Sequence, residues 1–130
     1  MKLAQTAARF LLGIMFTVFG LNGFLHFIPQ PPPTSQLAMQ YMTTLATSHY
    51  FVLVFALQLI AGLLLLANRY VALALTLLAP ILVNILLYHA LMEPTTIAPG
   101  LVATILWLVL FTQVRAAFAG LFQPSTPAIS

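Results

Sequence analysis

The sequence has no cysteine and only one acidic residue, Glu93, in 130 residues. Without thiols the chain cannot build a disulfide framework, a thiolate metal site or a dithiol redox centre of its own. Charge of either sign is scarce, at 4% of residues, where a soluble domain carries roughly a quarter. Five charges cannot solvate the surface of a domain this size. Nucleic acid is excluded as a partner, because Lys2, Arg9, Arg69 and Arg115 are scattered along the chain and form no clustered basic face. No nucleophile–base pair, phosphate-binding loop or metal-ligand cluster is legible, so the chain is not read as an enzyme on its own.

What is present is apolar: 62% of the residues are hydrophobic. A lipid bilayer is the solvent that suits this composition. The expected fold is all-α, an integral membrane four-helix bundle. Lys2 and Arg9 ahead of an apolar stretch resemble a signal peptide. No small-x-small cleavage site follows, so this segment is expected to remain as the first helix.

The spans are placed at about residues 7–28, 50–67, 70–92 and 101–122 within one membrane domain. Pro29 and Pro31-Pro32-Pro33 end the first, because proline lacks the amide donor and clashes with the preceding turn. Thr34 or Ser35 can then cap a short segment from Gln36 to Ser48. There Leu37, Tyr41, Met42 and Leu45 share a face, which fits an interfacial helix as well as a polar loop. From Tyr50 to Met92 one helix would be roughly 65 Å long, about twice the hydrocarbon thickness, so the chain must fold back. Asn68-Arg69 is the polar pair at which it does so. Pro80 is expected to kink the third span and free the carbonyl of Thr76.

With four spans, all four cations fall at one end of the bundle. The positive-inside rule then places both termini and the Asn68-Arg69 turn in the cytoplasm. His26, His49, His89 and Glu93 fall at the opposite end. Asn22, Gln58 and Asn84 lie about 9–12 Å inward from that end, on three different helices. Asn22 shares a face with His26, Asn84 with Tyr88, and His89 with Glu93. These residues (Asn22, His26, Gln58, Asn84, Tyr88, His89 and Glu93) form a candidate ligand-lining polar layer. The alternative is packing: amides between membrane helices commonly bond to one another, and His89 with Glu93 reads equally as a surface pair. No metal site is expected, since no HxxxH-type pairing exists. Gly13, Gly20, Gly23 and Gly62 are read as close-packing positions. Trp107 receives no role.

Several of these stretches resemble the DoxX family of small bacterial membrane proteins. They are Ala8-Arg9-Phe10-Leu11-Leu12-Gly13 through Phe19-Gly20-Leu21-Asn22-Gly23-Phe24-Leu25-His26 to the proline run, Gln58-Leu59-Ile60-Ala61-Gly62 with Asn68-Arg69-Tyr70, and Leu78-Ala79-Pro80 through Asn84 to His89. Together they span nearly the whole chain. The resemblance implies a four-helix protein of the bacterial inner membrane, an accessory role beside redox-enzyme subunits, and quinone as a ligand. Many relatives have Glu where this chain has Gln58. An amide can hydrogen-bond a quinone carbonyl but cannot relay a proton by ionising. The alternatives are a small transporter, for which a deep carboxylate is missing, and a structural or assembly protein without its own activity. Homo-oligomerisation is left open, because lipid-facing and partner-facing surfaces look alike in sequence.

Overall fold

The structure, a computed structural model, describes residues 2–128. Five α-helices follow in order: α1 (Lys2–Leu25), α2 (Gln36–Thr47), α3 (Tyr50–Leu66), α4 (Val71–Leu91) and α5 (Ala98–Val114). Short 3₁₀ segments at Pro94–Thr96 and Arg115–Phe122 flank α5. Among the described residues four stretches are long and apolar enough to cross a bilayer: Lys2–Leu25, Tyr50–Ala67, Val71–Leu91 and Ala98–Phe122. The chain is an all-α, multi-pass membrane protein. α1 and α4 each pack on both α3 and α5, so the order around the bundle is α1, α3, α4, α5. Leu12, Leu65, Leu75, Leu78 and Leu110 are fully buried within it.

The tightest seam runs between α1 and α3. A Cβ on Gly20 would lie 2.7 Å from the Leu59 nitrogen, and one on Gly62 2.5 Å from the Thr17 nitrogen. Here the two helices meet backbone to backbone, as small residues allow in lipid, where close packing replaces the hydrophobic drive. The opposite seam, α4 on α5, is built differently. Pro80, inside α4, cannot donate to the carbonyl of Thr76, which is left without its regular helical donor. One residue away, the Leu75 carbonyl accepts a 2.9 Å bond from the Trp107 indole of α5. The Trp107 ring stacks on Phe111, centroids 5.3 Å apart. Trp107 therefore joins the two helices at the proline.

The turns follow from local chemistry. Ser35 is the N-cap of α2, its hydroxyl accepting from the Ala38 N–H at 3.0 Å. A helix thus forms over this segment, and the polar-loop reading is set aside. After α3, Asn68 takes a left-handed conformation (φ 55°). Its N–H bonds the Leu65 carbonyl and the Arg69 N–H bonds that of Leu64, at 3.2 and 3.0 Å. This is a Schellman-type helix stop, in which Asn tolerates the left-handed position. Arg9 completes it from α1, its guanidinium 2.5 Å from the Leu65 carbonyl. A cation read only as one of the four at this end of the bundle is thus half-buried and caps a neighbouring helix. The last span differs from expectation: regular α-helix stops at Val114, and the chain tightens into 3₁₀ turns that place Phe118 on Phe111, 5.2 Å between centroids.

Candidate functional site

The expected polar layer does not gather into one pocket. Its members have separate surroundings. Asn84 is exposed on the outer surface of α4, and its amide donates back to the Pro80 carbonyl at 3.0 Å. Gln58 is buried at 7% exposure on α3, the helix whose Gly62 and Leu59 abut α1. His89 turns its Nδ1 onto the Ile85 carbonyl of its own helix, 2.8 Å away. Tyr88 stacks on Tyr41 of α2, centroids 5.5 Å apart.

Glu93 corrects the sequence reading most clearly. It makes no surface pair with His89. It is 4% exposed and accepts hydrogen bonds from loop residues 58–59 positions earlier. The Thr34 hydroxyl and the Thr34 N–H both donate to it, the latter at 2.6 Å. The Ser35 N–H (3.4 Å) and the Thr95 hydroxyl (3.1 Å) add further bonds. Beside them the Ser35 hydroxyl donates to the Met92 carbonyl. The lone carboxylate thus ties the start of α2 to the α4–α5 turn, at the electropositive end of a helix. The Thr34 hydroxyl bond does most to hold its carboxyl below the ordinary value of 4.5. Burial opposes that shift, and the backbone bonds and Thr95 reinforce it.

A cleft of about 240 Å³ lies where the end of α1 meets the α2–α3 corner. Its walls include Phe24, Phe51 and Phe55, with His26 and His49 beside them. Gly23 makes the cleft: a Cβ there would overlap the Phe55 ring. Phe55 lies 5.1 Å from Phe51 and 6.5 Å from Phe24, centroid to centroid. Both histidines end helices in left-handed conformations, with φ 53° at His26 and 62° at His49. Histidine is among the residues that enter this region more readily than most, and such positions cluster at functional sites. Asn22 holds the first of them in place. Its carbonyl accepts from the Ile28 N–H at 2.7 Å and its amide donates to the Ile28 carbonyl at 3.3 Å, closing the turn around His26.

Two of the seven proposed residues therefore serve this cleft: His26 lines it and Asn22 shapes its rim. His49, Phe24, Phe51 and Phe55 were absent from the sequence-based set. A signal existed in the aromatic pair Phe51 and Phe55, four apart and one turn below a histidine. Chemically, the cleft offers aromatic walls and two imidazoles, each of which can donate one hydrogen bond. It suits a flat ring with polar edges better than a charged solute. Comparison with protein-family models, with curated proteins and with solved structures gives no match to this chain.

Proposed function

We propose that this protein is a DoxX-like accessory subunit of a redox system in the bacterial inner membrane, with both termini cytoplasmic, and that it receives the ring of a quinone. The observation that carries the reading is the aromatic cleft with His26 and His49 at its edge. At about 240 Å³ it is smaller than the ~300 Å³ at which pockets for drug-sized ligands begin. That size fits a single substituted ring whose isoprenoid tail stays in lipid. The residues fit the group: the phenyl rings cover its faces, and the imidazoles of His26 and His49 can each donate to a carbonyl oxygen. A bound quinone would supply two-electron, two-proton chemistry to a partner enzyme. The chain itself contributes orientation and shelter from water. Gln58 supplies no proton, because an amide does not ionise.

The test is isolation from native membranes followed by quinone and protein analysis of the product. Copurified quinone, lost in His26→Ala with His49→Ala, is the expected result, together with an oxidoreductase subunit. Absence of both, with unchanged respiration and oxidant resistance after deletion, would falsify the reading.

A further inference from the structure

The outward position of Asn84 is unusual for a membrane helix. Polar side chains within such spans face the bundle interior or a water-filled cavity. The buried side of α4 consists of Ala74, Leu75, Leu78, Ile81 and Leu82. Its exposed side carries Leu73, Thr76, Pro80, Asn84, Leu87 and Leu91. At 100° per residue Asn84 lies about 120° from the centre of the buried side, on the flank of the exposed face and turned away from the core. It sits about 10 Å from the end of α4, within hydrocarbon depth. The bond to the Pro80 carbonyl uses one of its two N–H donors. The other donor and the carbonyl oxygen are left to the surroundings. On the same face, Pro80 withholds from the Thr76 carbonyl its regular helical donor.

We propose that this face of α4 is the interface of a homodimer, with Asn84 bonded to Asn84 of a second copy. Polar complementarity selects the occupant. Lipid tails offer neither donor nor acceptor, whereas a carboxamide offers both and is its own complement. Every copy inserts in the same direction, so a twofold axis along the membrane normal brings the same residue from each copy to the same depth. Thr76, Pro80 and Asn84 recur at four-residue intervals, and the Thr76 hydroxyl is turned onto the Ala72 carbonyl, 2.8 Å away. The row they form is lower than the leucines beside it, so a second α4 can approach along it. The proposal does not depend on the cleft or its ligand.

The absence of cysteine provides a clean test. Leu87→Cys and, as the control, Leu63→Cys on the exposed side of α3 are oxidised in native membranes. Both positions are about half exposed, at 51% and 50%. Disulfide-linked dimer is expected for Leu87→Cys at several times the yield of Leu63→Cys. In lipid vesicles, Asn84→Leu is expected to raise the dimer dissociation constant about 3- to 20-fold, the range of single interhelical hydrogen bonds in membranes. Equal yields at the two cysteines, cross-linking to a different protein instead of a second copy, or an unchanged constant in a helical Asn84→Leu protein would overturn the proposal. If Asn84→Leu fails to fold, the cross-linking comparison decides alone, since it retains Asn84.

Discussion

The two sides of the bundle are joined by different means. α1 meets α3 through glycine, with backbone against backbone at Gly20 and Gly62. α4 meets α5 through an indole bond near a proline, from a Trp107 ring that is steadied by stacking on Phe111 of its own helix. The first seam depends on the absence of side chains and the second on their presence. In lipid, where burying an apolar group against another is nearly neutral, both are ways of gaining contact that lipid tails cannot match. The difference sets how each side fails. The glycine seam tolerates no added volume, while the aromatic seam loses its contacts one at a time.

The largest effect is therefore expected at Gly62. In Gly62→Val a side chain would have to enter the space held by the Thr17 backbone, and the helices must separate. Overpacking of this kind costs about 1–3 kcal/mol or more. Thermal unfolding in detergent should show it as a large loss of stability. Trp107→Phe keeps an aromatic ring, though a smaller one, and removes the bond to the Leu75 carbonyl. It is expected to cost roughly 0.5–1.5 kcal/mol, the net worth of a typical hydrogen bond. If it proves as damaging as Gly62→Val, the contrast between the seams is wrong. The smallest effect is expected at the Gln5–Thr112 bond, 2.9 Å, which links α1 to α5. Gln5→Leu should cost about 0.6 kcal/mol, the average for hydrogen bonds between membrane helices.

Glu93 adds a pH test to the same comparison, because it ties α2 to the α4–α5 turn. Its folded-state carboxyl titrates below the ordinary 4.5. A depressed value means that its contribution is present above pH 4.5 and is lost as pH falls through the folded-state value. A label on a cysteine introduced at Leu37 should thus report a fixed α2 at neutral pH and a loosened one in acid. Glu93→Gln should loosen it at both. The backbone contacts at Gly20 and Gly62 involve no ionisable side chain and should not respond.

The spans, the Ser35 cap and the Asn68-Arg69 turn were legible because each is written in local residues. Prolines, a hydroxyl before an apolar pattern, and a polar pair in a long apolar run are short-range signals. The contacts between elements were not legible. α4 and α5 are apolar on all sides, so the sequence does not mark which face turns inward, and Asn84 could be placed by depth but not by direction. Glu93 shows the same limit: its partners Thr34 and Ser35 lie 58–59 residues away, and the nearer His89 was the obvious local partner. His49 was placed at the same end as His26 but left out of the candidate set, although both border the same cleft. The cleft exists through Gly23 and Phe55, which sit on different helices and which sequence spacing does not connect.

The bond from Arg9 to the Leu65 carbonyl has a consequence for how the protein is made. Leu65 is synthesised 56 residues after Arg9. Until then the guanidinium has no carbonyl to hold, and the first helix must keep it among the lipid headgroups. Completion of the third helix offers the charge a seat inside the protein. The arginine thereby marks, during biogenesis, the moment when separate inserted helices become a bundle.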